Sequence, residues 1–461
     1  MKNQTQTTLP TLRVDVVEEG QKPRRNHLAC VIETNLKFNT VGLEAYCLAN
    51  WDARVFDAFV VTAAVQYCDH IKARPKTGWG RDIELRVPVH DPDLWNSSDV
   101  SERLHDALGF LTGDRWHLNF VSRKSPANQP RQPTLAMPDG SCVIIPYSDG
   151  LDSRAVAGLM EKEKGHRIIR VRLGSTQLGG GKDNGTRLPF ALVPYRVKYG
   201  ETKSVESSGR SRGFKFAMLS AIAAFLSQAE EIIVPESGQG ALGPTLIPVG
   251  QAYDDFRNHP AFTQRMEILI KALFDHKVRY TFPRLWHTKG ETLKSYIEQY
   301  GEQADWKGSW SCWRSNRQVS VDGHKRQCGI CAACLLRRLS VHAAGGTEPP
   351  ETYVWENLSA DEFERGAAPN FNQAKARGAN YEYAIAGMLH LDHLADLRHS
   401  TANRATLARR TVELSRAVSL PEEETEAKLD RLLGQHELEW KAFIESLGPQ
   451  SFVARWAAGM N

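Results

Sequence analysis

Two stretches of this 461-residue chain bring together side chains whose types and spacing could do chemistry. The first is YSDGLDSR, residues 147–154, set between the apolar run CVIIP and the helix-like AVAGLM. A strand ending at Pro146, a tight loop and a helix starting near Ser153 would gather free backbone N–H groups and a positive helix end at one point. That is an anion site, suited to phosphate. Gly150 would let the backbone approach closely, and Ser148 and Ser153 could donate hydroxyl hydrogen bonds. Asp152 could orient the loop or bind Mg²⁺; an acid in a first helical turn is also unremarkable. Asp149 is the odd member, because a carboxylate beside phosphate must point away or coordinate Mg²⁺. Neither the Gly-Lys-Ser/Thr ending of a Walker loop nor Gly-x-Gly-x-x-Gly occurs here.

The second stretch is Cys312-x15-Cys328-x2-Cys331-x2-Cys334. Four thiolates are what a closed tetrahedral zinc site needs, and a site filled by protein has a structural role. A ferredoxin-type run would end in Cys-Pro, whereas this one continues Cys334-Leu-Leu-Arg. Lys325, Arg326, Arg337 and Arg338 flank the cluster and are expected to offset its negative charge. Cys30, Cys47, Cys68 and Cys142 are scattered among apolar neighbours and read as buried free thiols.

The elements that must position these groups follow from periodicity. Residues 1 to about 25 read as a flexible arm, and 26–124 as an α+β domain. In it LACVIE, RDIELRVPV and WHLNFVSR alternate like strands, while ARVFDAFVVTAAVQYCDH and VSERLHDALGFL read as helices. Residues 125–140, with four prolines, read as a linker. From 141 the rhythm becomes strand (CVIIP), helix, strand (RIIRVRLG), helix (GFKFAMLSAIAAFLSQA), strand (EEIIVPESG). This is the pattern of an α/β parallel sheet with crossover helices, in which ligands sit beyond the carboxyl ends of the strands. YSDGLDS and PESGQG, with Glu236, both fall there. EPPETY, residues 348–353, marks a boundary before a helical C-terminal region over 346–461. Ser419-Leu-Pro-Glu422 reads as a capping box opening the helix through AKLDRLLGQ.

Ser148-Asp149-Gly150-Leu151-Asp152-Ser153 resembles the PP-loop of the ATP pyrophosphatase superfamily, Ser-Gly-Gly-x-Asp-Ser, with Asp149 replacing the first glycine. The resemblance implies ATP bound by these six residues and cleaved between its α and β phosphates. Followed about 160 residues later by the cysteine cluster, the loop resembles the QueC family of 7-cyano-7-deazaguanine synthases. The likeness covers roughly 141 to 342 and extends to Pro283-Arg-Leu-Trp286-His-Thr-Lys289-Gly-Glu291-Thr292, similar to the family's Pro…Lys-x-Glu-Thr segment. Arg212 sits where the family has the Arg of a Gly-Arg-Asn motif, but its neighbours are Ser211 and Gly213, and Arg210 competes for the role. The resemblance implies an ATP-dependent ligase in which ATP with Mg²⁺ adenylates the carboxylate of 7-carboxy-7-deazaguanine, assisted by Asp152, Lys289 and Arg212, and an amine attacks. In the biosynthetic branch the amine is ammonia, and the amide is then dehydrated to the nitrile with further ATP. The additional N- and C-terminal parts resemble the enlarged QueC-like proteins of anti-phage defence operons, the QatC branch. That branch implies acylation of the amino terminus of an operon-encoded partner protein. Glu236 and Trp313 join Arg210 as candidate contacts to the deazaguanine. Trp306, Trp310 and Trp313 could equally stack a purine-like base or pack around the zinc knuckle.

Composition narrows the alternatives. Hydrophobic content of 41% and charged content of 24% are those of a globular protein, and the formal net charge of +4 is too small to argue for nucleic acid. The first residues lack the apolar stretch of a signal peptide, and FAMLSAIAAFL is too short to span a bilayer, so a cytoplasmic protein without a membrane partner is expected. Two other functions compete: a PP-loop enzyme acting on tRNA, and a non-catalytic zinc-binding adaptor, which Asp149 favours. His390 and His393 lack a third ligand nearby and read as helix-surface or packing residues. Gly179-Gly180-Gly181-Lys182 has no strand-to-helix corner to frame it and reads as a flexible loop over the nucleotide.

Overall fold

The computed structural model describes residues 11–38, 52–75, 78–126, 142–148, 150–172, 195–247, 253–314, 319–372, 374, 376 and 378–459. Cys47, Asp149, residues 127–140 of the expected linker and the Gly179–Lys182 run lie outside the described residues. The chain forms two compact units, interleaved in sequence. One contains residues up to Tyr147, His166–Val234 and Gly250–Thr281; the other contains Ser148–Gly165, Pro235–Val249 and everything from Phe282.

The first strand corrects the expectation of an arm reaching to residue 25. Residues Thr11–Val17 form β1, with Leu12, Val14 and Val16 buried, because alternating apolar residues bury one face of a strand. It is followed by β2 (Leu28–Val31), β3 (Leu36–Phe38), α1 (Ala53–Ile71), β4 (Asp82–Val89), α2 (Pro92–Asn96), α3 (Ser98–Thr112) and β5 (Arg115–Ser122). The sheet has the order β2-β1-β4-β5 and is parallel throughout. Arg81, fully buried before β4, is a hub here. It donates to Asp69 Oδ1 at 2.6 Å and to Asp114 Oδ2 at 2.7 Å, tying the end of α1 to the start of β5. Asp69 Oδ2 also accepts the Ser211 N–H at 2.8 Å, which fixes the chain just before the next long helix of this unit.

The second sheet has the expected rhythm. Along the chain come β6 (Val143–Tyr147), α4 (Leu151–Lys164), β7 (Ile168–Arg172), β8 (Tyr195–Val197), α5 (Arg212–Ser227) and β9 (Glu231–Ile233). Two single turns, α6 (Gly238–Ala241) and α7 (Gly243–Leu246), precede α8 (Pro260–Phe274) and β10 (Arg279–Thr281). Strand order is β10-β9-β6-β7, all parallel, while β8 pairs antiparallel with β3. The carboxyl ends of β6 and β9 run into YSDGLDS and PESGQG, so both candidate loops leave the same edge of one sheet.

The other unit is built on helices. They are α4, the turns α6 and α7, α9 (Lys289–Tyr300), α10 (Ala332–Ala343), α11 (Ala379–Asp396), α12 (Arg404–Val418), α13 (Glu422–Leu447) and α14 (Phe452–Ala457). A short antiparallel pair, β11 (Ser320–Val321) and β12 (His324–Lys325), precedes α10. Helix α10 packs against α9, α11 and α13, and the four clustered cysteines share one core with Trp355, Phe363, Met388, Trp440 and Phe452. Ser419 is not a cap of α13. It closes α12 in the left-handed conformation (φ 56°), and α13 starts after Pro421 without a side-chain cap. The three glutamates Glu422–Glu424 instead supply the negative charge that a helix start favours. Helices α4 and α9 pack closely: a Cβ on Gly158 would fall 2.3 Å from the Tyr296 ring, and Tyr300 Oη donates to the Gly158 carbonyl at 2.7 Å. Among the described residues no helix is long and apolar enough to cross a membrane.

Candidate functional site

The loop after β6 is organised by its own hydroxyls. Ser148 Oγ accepts the Gly150 N–H at 3.3 Å and lies 2.8 Å from Ser153 Oγ. Gly150 is the N-cap of α4 in an extended conformation, and no side chain caps the helix. The first turn therefore keeps the unfilled donors and positive end that an anion would use. Leu151 anchors the turn in an apolar cluster with Ala155, Leu293, Tyr296 and Trp306.

Within this turn Asp152 faces inward and is 9% exposed. Its Oδ2 forms an ion pair with Lys289 Nζ, and its Oδ1 accepts from Ser237 Oγ at 2.7 Å. Lys289, the first residue of α9, is itself only 8% exposed. Burial would push its ammonium pKa down, but Asp152 and then the half-buried Glu236 outweigh burial and hold it above the ordinary lysine value. The Asp152–Lys289 pair at the two starts, with Gly158 against Tyr296 further along, shows that α4 and α9 run in the same direction. Two positive helix ends thus meet at the ion pair.

The start of α9 is fixed by residues that the spacing argument did not select. Thr288 is its N-cap in a capping box: Glu291 N–H donates to Thr288 Oγ1 at 3.0 Å, and Thr288 N–H donates to Glu291 Oε2 at 2.8 Å. That box is legible as Thr288-Lys-Gly-Glu291, the S/T-x-x-E signature. Thr288 Oγ1 also donates to Glu439 Oε1 at 2.6 Å, and the Lys289 N–H donates to Gln239 Oε1 at 2.6 Å. Gln239 in turn meets His436 Nδ1 at 2.9 Å, and His436 Nε2 lies 2.9 Å from the Leu391 carbonyl. Arg431 pairs with Glu291. Residues His436, Glu439 and Arg431 belong to α13, well over a hundred positions downstream, and no local pattern announces them. Burial pushes the His436 pKa down to about 4, so the ring is neutral at physiological pH. Burial pushes the Glu439 carboxyl up to about 7, against the hydrogen bonds from Thr288 and Gln435.

The four cysteines converge as their spacing predicts. Cys312, Cys328, Cys331 and Cys334 are all buried, with their Sγ atoms within 4.8 Å of one another and Cys328 Sγ at 3.7 Å from Cys334 Sγ. Zinc–thiolate bonds of about 2.3 Å in a tetrahedron put the sulfurs about 3.8 Å apart, so the cluster fits zinc. Cys331 is the N-cap of α10, Cys334 lies in its first turn, and Gly329 takes the left-handed turn (φ +85°) between the two arms. Backbone N–H groups of Cys328 and Arg314 donate to Cys312 Sγ at 3.2 and 3.4 Å, and those of Cys331 and Ile330 to Cys328 Sγ at 3.3 and 3.5 Å. Amide donors take much of the charge-offsetting role expected of the flanking cations. Arg337 is paired with Glu348 at 2.7 Å and Arg326 with Glu356 at 2.6 Å, while Lys325 lies over the Trp310 ring. Arg338 is held by the Trp355 carbonyl at 2.6 Å and the Glu356 carbonyl at 2.9 Å.

The remaining candidates are placed as follows. Arg210 and Arg212 belong to the other unit, at the start of α5. Arg210 is engaged with Asp255 at 3.3 Å and with the Tyr253 carbonyl at 2.8 Å. Arg212 is exposed, with its guanidinium over the Phe216 ring. Trp306 is buried in the core beside α9, Trp310 is half-buried against the knuckle core, and Trp313 stands 66% exposed. For Trp306 the packing role holds; Trp313 keeps a free face. His390 is half-buried and His393 exposed on α11, and among the described residues the only metal-competent cluster is that of the four cysteines.

Two outcomes follow. Purified protein should carry about one zinc per chain by elemental analysis, and Cys328→Ser should lose most of it with a lowered melting temperature. Undiminished zinc in that variant would contradict the assignment. Glu439 is protonated more readily folded than unfolded, so its contribution to stability is complete below about pH 4.5 and is lost as pH rises through about 7. The loss is on the order of 3 kcal/mol. Urea denaturation at pH 4 and pH 8 should show Glu439→Gln equal to the parent at pH 4 and more stable at pH 8. An unchanged difference between the two pH values would contradict it.

No curated protein matches the chain. A family model does match part of it, that of queuosine biosynthesis protein QueC, over residues 243–345. The matched stretch spans Lys289, its capping box and all four cysteines, and leaves out the loop at 148–153 and helices α11 to α14. The chain therefore contains a QueC-type domain, which includes β10 of the second sheet and is followed by a helical carboxy-terminal region.

Proposed function

We propose that the chain is an ATP-dependent ligase that activates the carboxylate of a 7-carboxy-7-deazaguanine-type substrate and passes it to an amine. The observation that carries this reading is the buried Lys289–Asp152 pair at the joint start of α4 and α9, with Lys289 inside the stretch similar to QueC and Asp152 brought to it from outside that stretch. A cation sealed among two helix ends, with a carboxylate as its counter-ion, suits phosphate charge that appears only when nucleotide binds. Lys289 stays an ammonium across the physiological range and supplies that positive charge. Asp152 orients it and offers an oxygen to Mg²⁺, and the α4 amides with the Ser148 and Ser153 hydroxyls receive the departing pyrophosphate.

A substrate carboxylate oxygen attacks the α-phosphorus, the bond to the β-phosphate oxygen breaks, and pyrophosphate leaves. The amine nitrogen then attacks the acyl carbon, the carbon–oxygen bond to AMP breaks, and the amine's extra proton passes to solvent. Carboxylate and amine do not condense in water; the acyl-adenylate supplies the leaving group. Glu236 and Trp313 are assigned to the substrate's purine-like ring. The acceptor we favour is the amino terminus of a partner protein, as in the defence branch, because the chain extends well beyond the QueC-like stretch on both sides. Ammonia, as in the biosynthetic branch, is the second reading.

The test supplies ATP, Mg²⁺, 7-carboxy-7-deazaguanine and hydroxylamine as a surrogate amine, with no RNA present. One AMP and one pyrophosphate should appear for each hydroxamate formed. Release of ADP and phosphate, no ATP consumption, or a requirement for tRNA would each overturn the reading.

A further inference from the structure

The first turn of α9, which carries Lys289, is tied down at the Lys289 N–H, at the Thr288 hydroxyl and at Glu291. The Lys289 N–H is bound by Gln239 Oε1 at 2.6 Å, and that orientation of the amide turns its NH₂ toward His436 Nδ1 at 2.9 Å. Nδ1 must then accept, so the proton sits on Nε2 and is donated to the Leu391 carbonyl at 2.9 Å. The chain Lys289 → Gln239 → His436 → Leu391 has one direction and works only with a neutral ring; an imidazolium would place a second donor against the Gln239 NH₂. All its side-chain members are buried, Gln239 at 3% and His436 at 0% exposure. A second tie runs from Thr288 Oγ1 to Glu439 Oε1 at 2.6 Å, with Gln435 Nε2 bracing the same oxygen at 3.1 Å. A third runs from Arg431 to the Trp286 carbonyl at 3.0 Å and to Glu291 of the capping box.

All three ties draw a side chain from one helix, α13, which lies outside the stretch similar to QueC. We propose that α13 is the positioning element of this site: His436, acting through Gln239, and Glu439, acting through Thr288, set the first turn of α9 and so hold the Lys289 ammonium against Asp152. His436, Gln239 and Glu439 are positioning residues, since none of them touches the ammonium. The proposal rests on the ligase reading for its effect on turnover, and on geometry alone for its effect on Lys289.

The experiment uses the full chain with His436→Leu, which removes both ring hydrogen bonds, and His436→Gln, which restores an acceptor and a donor. Lysines are acetylated under limiting reagent, and the labelling of Lys289 is read by mass spectrometry relative to Lys441, whose side chain is 70% exposed. The ratio should rise about tenfold in His436→Leu, the factor that losing one buried hydrogen bond supports, and return to within about twofold in His436→Gln. In the hydroxylamine assay kcat should fall by a similar factor while KM for ATP changes less than about twofold. If His436→Leu does not fold, Gln239→Met carries the same expectation. An unchanged labelling ratio, or a rise shared by every lysine, overturns the proposal. Because labelling requires no turnover, it decides the point even if the parent protein forms no AMP.

Discussion

A lysine ammonium taken out of water must be paired, or it loses its proton or unfolds its surroundings. Lys289 answers that constraint with Asp152, and most of the nearby architecture follows from the pair. The two residues begin different helices, so α4 and α9 must start at the same place and run in the same direction. Helices can approach that closely only with a small residue between them, and Gly158 provides it under the Tyr296 ring. Asp152 needs a second donor to keep its other oxygen in place, and Ser237 brings the loop after β9 to the same point. The result brings two helix starts together at the ion pair, that of α4 without a side-chain cap and that of α9 closed by its capping box.

The four-cysteine knuckle and the helical region solve a related problem of support. The knuckle places α10 against α9, and its cysteines are packed into one core with aromatic residues drawn from as far away as Phe452. Cysteine cluster and C-terminal helices thus form a single structural body. Helix α13 runs through it and contributes Leu429, Leu432 and Leu433 to one apolar cluster and Trp440 and Phe443 to another. The polar residues interspersed among these along the helix, Arg431, His436 and Glu439, are the ones that reach the start of α9 or its supports. An element that looks like an appendage in sequence is continuous with the site in space.

Much of this was legible beforehand, and for physical reasons. Strands β6, β7 and β9 of the second sheet were legible because their apolar runs alternate with long crossover helices, whereas the three-residue β10 carries too short a run to signal itself. The cysteines were legible because metal ligands come with fixed local spacing. Lys289 is legible through its position in the Pro283-to-Thr292 segment, but its buried pairing with Asp152, 137 positions upstream, is not. Strand β1 was missed because a seven-residue strand next to a polar terminus carries little signal; its alternation is plain once its partner β4 is known. Ser419 misled because a serine three residues before a glutamate satisfies the capping-box pattern, while the left-handed closure of α12 competes for the same residue. Gln239, His436 and Glu439 were invisible, since their meaning lies entirely in contacts between residues far apart in the chain.

The central claim is that this site makes an acyl-adenylate, and one isotope experiment addresses it directly. 7-Carboxy-7-deazaguanine labelled with ¹⁸O in both carboxylate oxygens is turned over with ATP, Mg²⁺ and an amine, and the AMP is weighed by mass spectrometry. Attack by the carboxylate on the α-phosphorus leaves one substrate oxygen on phosphorus, so the AMP released should carry a single ¹⁸O. AMP without the label, formed alongside the amide product, would contradict the account.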